Sequence, residues 1–208
     1  MYNICYYSVA VITNKNMRDM GITNTYHKHQ VLWKCFPGND GKNAEFVFNF
    51  VRLEDCFKIF MYSKEKPLDY RYIKWNTIEV TDDLMKCGSY QFTVTVNPIK
   101  RSVESRKTYP IVEENMAAKW LSDKLYREYG CIADVNEMLC IDKFVDKVNK
   151  PNNKPYYINK MTFSGIMTVI DCTKFTNIVN GIGKEKRMDC GFMRFIKISD
   201  CHSKNIMI

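Results

Sequence analysis

The chain has 208 residues and only three histidines, so imidazole-rich metal centres and histidine-dense catalysis have little to draw on. Its nine cysteines include no Cys-x-x-Cys pair, which removes the closely spaced soft ligands that a zinc site uses. Cys201-His202 is the one Cys/His adjacency, and no paired-carboxylate motif stands in for it. Metal ligation is therefore expected nowhere, and chemistry is expected to be metal-free acid–base work without a cofactor. Long apolar runs are missing as well: Tyr6 to Thr13 and Ile166 to Ile170 fall far short of a membrane span. The first residues, Met1-Tyr2-Asn3-Ile4-Cys5, lack a basic start and a cleavage pattern. A cytoplasmic protein without membrane contact, its thiols buried and reduced, is the expectation. Glycine and proline are scarce, 9 and 6 residues, and no stretch has the composition of a disordered tail.

What is present is a well-stocked core and an excess of positive charge. Apolar residues make up 46% and charged residues 26%, enough for one domain or two small ones. The formal charge of +8 favours a polyanionic partner through a long-range, salt-sensitive field. Thirteen tyrosines and twelve phenylalanines could stack on bases, although a core also consumes aromatics.

The pattern along the chain predicts an α+β protein. Met1–Thr13 reads as a strand, Tyr26–Phe36 as a helix, and Glu45–Val51 with Cys56–Tyr62 as a hairpin. Pro67–Trp75 has weak helical character, and Tyr90–Val96 alternates as a half-buried strand does until Asn97-Pro98 stops it. That order is β-α-β-β-α-β, the ferredoxin-like arrangement. The second half repeats it: a strand at Thr108–Val112, a helix from Glu113 to Gly130, a strand within Cys131–Ile141, a strand Met161–Asp171, a helix Thr173–Asn180 and a strand Phe192–Ile198. Two tandem ferredoxin-like (RRM-like) domains are expected, residues 1–97 and 108–208, joined by a linker at 98–107. Such sheets often bind RNA, though no RRM signature is present.

Three stretches could carry chemistry. In the first, Tyr26 and His29 stand at i and i+3 on one helix face, while His27 points elsewhere. Asn24 or Thr25 is placed to cap this helix, whose positive N-terminal end favours neutral imidazole and a nearby phosphate. In the second, Asn180 to Gly191, Gly181 and Gly183 precede Lys184, Lys186 and Arg187. Their N–H groups could cradle an anion, or the glycines could simply end a helix before a solvated basic turn. In the third, Lys143, Lys147, Lys150, Lys154 and Lys160 punctuate a polar stretch that is either a solvated loop or a basic hairpin laid on RNA phosphates. Lys100, Arg101, Arg106 and Lys107 could extend that track.

The segment Tyr26-His27-Lys28-His29-Gln30-Val31-Leu32-Trp33-Lys34-Cys35-Phe36-Pro37 resembles the Tyr-x-x-His-x-x-Leu-Trp-x-x-Phe-Pro segment of the CasE family, the CRISPR RNA-processing endoribonucleases of type I-E Cascade. The resemblance continues through Phe46-Val47-Phe48, Tyr90–Lys100, Ala118–Leu121, Phe163–Val169 and Gly181–Lys186, and so covers nearly the whole chain. It implies tandem ferredoxin-like domains and a metal-independent cut at the base of a CRISPR repeat RNA hairpin, made by the RNA's own 2′-hydroxyl. His29 would be the catalytic histidine, as base or acid, with Tyr26 its partner. The lysine-rich hairpin and the Gly-loop would hold the RNA, and other Cascade subunits would be partners. A non-catalytic subunit that binds an RNA hairpin is the alternative. The family usually has glycine where this chain has Asp189, and often arginine in the strand that here reads Thr93-Val94-Thr95.

Overall fold

A computed structural model describes residues 5–37, 45–81, 85–150 and 153–198. The first sheet is built from β1 (Cys5–Thr13), β2 (Phe46–Arg52), β3 (Cys56–Ser63) and β4 (Asn76–Val80), in the order β2-β3-β1-β4 with every neighbour antiparallel. Two helices follow β1: α1 (Asn14–Asp19), which the sequence pattern did not announce, and α2 (Thr25–Trp33). At nine residues α2 is too short to be stable alone. Asn24 caps it by accepting the His27 N–H at 2.9 Å, and Val31, Leu32, Cys35 and Phe36 anchor it against Ala10, Ile12 and Phe48.

The second sheet has the order β11-β5-β10-β8, with β9 also paired to β10. Its members are β5 (Gly88–Val96), β8 (Cys131–Ile132), β9 (Leu139–Val148), β10 (Tyr156–Val169) and β11 (Met193–Lys197). The helix α3 (Glu114–Tyr129) covers one face, placing Ala117, Ala118, Leu121 and Leu125 on Phe92, Val94 and Phe163. Glu113 caps it by accepting the Met116 N–H, and Gly130, at φ +63°, ends it where a side chain would strike Asp171. A four-residue helix, α4 (Cys172–Phe175), and a 3-10 turn over Thr176–Asn180 lead back toward β11.

Both sheets thus have the ferredoxin-like strand order, but the elements are divided differently from the sequence-based expectation. Gly88–Val96 does not close the first sheet. It pairs with β10 and β11 as a central strand of the second, and Asn76–Val80 is the first sheet's fourth strand. Pro67–Trp75 forms no helix, only a turn bridged between Tyr70 and Ile73. The segment expected to be a linker carries β6 (Ile99–Arg101), which pairs with β7 (Thr108–Pro110) in a separate hairpin, so Thr108–Val112 does not open a domain. The reason is local ambiguity. A half-buried alternating strand reads the same whichever sheet takes it, and nothing in residues 88–96 names its partner.

Cys87 and Cys172 form a disulfide, contrary to the expectation of uniformly reduced thiols. Cys5, Cys35, Cys131 and Cys190 are free and buried. Cys201-His202 lies outside the described residues.

Candidate active site on helix α2

His29, Leu32 and Phe36 lie on one stripe of α2 and the turn after it, so His29 faces inward and is only 4% exposed. Its ring stacks on Phe46 at 5.3 Å, with Trp33 at 4.8 Å and Phe48 at 6.3 Å. Its open side lines a cavity of about 1190 Å³, which Lys186 and Arg187 also line. Burial, then the charges of Arg187 and Lys150, lower its pKa from 6.5 to about 4. The imidazole is therefore neutral at neutral pH, as expected. The main cause is burial among aromatic rings rather than the helix dipole.

Tyr26 lies one turn earlier and takes a different environment. It is half-buried against Val148, Ile158, Met188 and Cys190, beside Tyr156. No hydrogen bond joins it to His29, and its hydroxyl makes none among the described residues. The ring nearest to it is that of His27, at 6.1 Å. His27 is hydrogen-bonded through Nδ1 to the Thr23 hydroxyl at 3.0 Å and belongs to the helix start.

Two carboxylates, Asp146 half-buried and Asp189 buried, seat α2 against the rest of the molecule. Asp146 on β9 accepts from the Thr25 hydroxyl at 2.7 Å and from Lys160 on β10 at 2.8 Å. Asp189 accepts from Lys28 at 2.8 Å, from Asn49 at 3.1 Å and from the Phe50 N–H at 3.0 Å. Asp189 is 7% exposed and sits at φ +61°, a conformation aspartate tolerates better than most residues. Its carboxylate turns inward, away from any phosphate-facing position. The sequence marks Asp189 only as a departure from the family's usual glycine and Asp146 only as an isolated charge in basic surroundings.

The remaining predicted contacts divide into two sets. Lys143, Lys147 and Lys154 are exposed on or beside the β9–β10 hairpin, with Lys143 3.6 Å from Glu114. Lys150 is half-buried over the Tyr156 ring at 5.2 Å and acts electrostatically on His29. Lys184 is exposed, Lys186 is half-buried with its pKa lowered by burial and the nearby Lys124, and Arg187 lies over the Trp33 ring at 5.8 Å. Lys160 departs from the expectation. At 2% exposure it is part of the core, because Asp146 needs a buried counter-charge there.

The Gly-loop also departs from it. The Gly181 N–H donates to Ile178 O at 2.9 Å, and a Cβ at Gly181 would approach Val47 to 2.8 Å. A Cβ on Gly183 would press on Trp120 at 3.2 Å. Close packing at positive φ explains both glycines. Among the described residues, no three His, Cys, Asp or Glu side chains group as a metal site would require.

The chain thus combines a tandem pair of ferredoxin-like folds with a buried histidine beside basic side chains. The family model described as CRISPR associated protein matches residues 6–196, and the chain belongs to that family. Its fold is similar to that of the CRISPR endoribonuclease Cse3 bound to a 19 nt RNA, at 17% identity and TM-score 0.78 over 92% of this chain and 99% of the other. Cse3 of Thermus thermophilus bound to an RNA representing a pre-cleavage complex is 16% identical, with TM-score 0.75 over 94% of this chain and 100% of that one. Cas6e from Escherichia coli str. K-12 is 23% identical, with TM-score 0.62 over 93% and 100%. No curated protein sequence matches the chain.

Proposed function

We propose that this protein is a metal-independent endoribonuclease that cuts CRISPR repeat hairpins in precursor CRISPR RNA and stays on the product as a Cascade subunit. Solved structures of similar fold are described as RNA-bound CRISPR endoribonuclease and as CRISPR RNA-guided surveillance complex, which supports both parts of the proposal. The observation that carries it is the state of His29: a neutral imidazole, opening on a cavity, with two cations acting on it.

A neutral imidazole can accept a proton at pH 7, so His29 serves as the general base on the 2′-hydroxyl beside the scissile phosphate. The 2′-oxygen attacks phosphorus as its proton passes to His29, the bond to the 5′-oxygen breaks, and that oxygen takes a proton from water to leave as a 5′-hydroxyl, after which the imidazolium returns its proton to solvent. A 2′,3′-cyclic phosphate remains on the upstream fragment. The nucleophile is supplied by the substrate, so the protein need provide only the base and charge stabilisation. Arg187 and Lys150 are the cations placed to offset charge developing on the phosphorane. The Tyr26 hydroxyl, which makes no hydrogen bond among the described residues, is placed to donate to a phosphate oxygen. Lys143, Lys147 and Lys154 on the β9–β10 hairpin, with Lys184, would meet the RNA backbone.

A second reading, a hairpin-binding subunit that does not cut, draws on the absence of any hydrogen bond between Tyr26 and His29. The two separate in one experiment. The protein is incubated with its cognate repeat hairpin in EDTA beside His29→Ala. Cleavage by the wild type, lost in the variant with binding kept, supports the enzyme; an uncut hairpin under wild-type protein rejects it. Cleavage that needs added divalent metal would overturn the mechanism.

A further inference from the structure

The cavity that holds His29 extends away from α2. Its wall includes Tyr62, Val80, Met85 and Lys86, and these four residues also line a second cleft of about 720 Å³. That cleft lies where β3 of the first sheet faces β5 and β11 of the second. Lys58 enters it from β3, Gln91 and Thr93 from β5, and Arg194 and Lys197 from β11. No carboxylate lines it among the described residues.

Three of its cations have no counter-ion among the described residues: Lys58, Arg194 and Lys197 make neither an ion pair nor a side-chain hydrogen bond there. Lys58 and Arg194 lie over one aromatic ring, that of Phe60, at 5.2 and 5.5 Å from its centroid. Arg194 is half-buried, and burial presses its guanidinium below the usual value. A partly desolvated cation without a partner is unfavourable unless something anionic arrives. Beside these charges stand the half-buried rings of Tyr7 and Phe195, and the Gln91 amide and Thr93 hydroxyl can meet polar base edges. Cations that follow a backbone, with aromatic faces between them, are the chemistry of single-strand binding.

We propose that this cleft holds the single-stranded RNA that continues past the scissile phosphate, with its phosphates on Lys58, Arg194 and Lys197 and a base against Tyr7 or Phe195. The shared wall sets the cavity of His29 directly beside the cleft of Arg194. A strand cut at His29 is therefore gripped on its unpaired side as well as through its stem. This rests on the proposed hairpin-cutting function. It adds a second determinant, the unpaired flank, which the hairpin-binding lysines cannot supply.

The test measures affinity for three RNAs: the repeat hairpin ending at its stem, the same hairpin with a single-stranded 5′ tail, and the hairpin with a 3′ tail. Wild type is compared with Lys58→Gln/Arg194→Gln, which keeps the stems that cover Phe60. One tailed RNA should bind wild type about tenfold tighter than the bare hairpin, and the double variant should lose that advantage while binding the bare hairpin unchanged. The slope of log K against log salt for the tailed RNA should fall by about 1.4, at roughly 0.7 for each single-strand phosphate that the variant no longer neutralises. Lys58→Arg/Arg194→Lys should restore the advantage, which separates charge from folding. If neither tail adds affinity, or if the double variant keeps the gain, the cleft has another occupant, such as an acidic protein segment, and the proposal fails. If the bare hairpin itself does not bind, the proposed function fails instead. The cleft is then judged on the tail oligonucleotide alone: saturable binding weakened in the double variant sustains it, and no binding overturns it.

Discussion

The Lys160 ammonium lies 2.8 Å from Asp146, and the same carboxylate oxygen accepts the Thr25 hydroxyl at the start of α2. The β9–β10 hairpin and the helix bearing His29 are thus joined where the Lys160–Asp146 ion pair accepts the Thr25 hydroxyl. Burial would push the Asp146 carboxyl up, but hydrogen bonds from Lys160 and Thr25, with the charges of Lys160 and Lys28, hold it below its ordinary value. Removing one partner strands the other charge. Lys160→Met should cost about 3 kcal/mol or more, and Lys160→Met/Asp146→Leu should recover most of it, as urea unfolding would measure. Equal losses in the single and double variants would show that the pair is not coupled.

Protonation of His29 gives stability a pH dependence of defined sign. The folded-state value of about 4 lies below the ordinary 6.5, so between those values the unfolded chain binds the proton first. This group's contribution is complete above pH 6.5 and is lost as pH falls toward 4, by roughly 3 kcal/mol in all. His29→Gln should remove that component from unfolding free energies measured across this window. Cleavage efficiency should fall with acidification over the low end of the same range, because only the neutral ring accepts the proton.

Arg187 is one of the two charges that disfavour the imidazolium. In Arg187→Gln the His29 pKa should rise, yet stay below 6.5 because burial is the larger cause. An NMR titration of the imidazole would read this directly, and a fall or no change would refute it. Cleavage should drop more than hairpin affinity if the guanidinium acts on the phosphorane.

Asp189 makes a counterintuitive prediction. At φ +61° a glycine is unstrained, so Asp189→Gly improves the local backbone. It also removes three hydrogen bonds and leaves Lys28 unpaired. The net change should be destabilising by about 1–3 kcal/mol, with Asp189→Asn intermediate. Hairpin affinity should change little in either variant, since the carboxylate faces Lys28 and β2 rather than a bound phosphate. A large gain in affinity would contradict that placement.

The segment Asn24–Phe36 was legible from the chain as far as the Asn24 cap and the short helix, which follow from local patterns, whereas the lowered pKa of His29 comes mainly from tertiary burial. The same holds for α3, where Glu113 and Gly130 mark both ends, and for the β2–β3 hairpin. Strand membership was not legible, because Gly88–Val96 has a pattern that fits either sheet and long-range pairing chose the second. Lys160 looked like one more lysine of a basic stretch, and only the fold shows it buried against Asp146. The glycines at 181 and 183 could have served an anion or a tight turn, and packing on Val47 and Trp120 selects the turn.

What the sequence alone determined is the local grammar: charge, caps, periodicity and the residue types available for acid–base work. Those depend on neighbours a few positions apart. Tertiary structure decided that Tyr26 and His29, although on one helical stripe, occupy different surroundings. It also decided that Arg187 and Lys150 act on the His29 ring, and that cations from β3 and β11 meet across one cleft. The charge and cleft relations join residues more than a hundred positions apart, and only chain packing fixes the distances on which charge and burial depend.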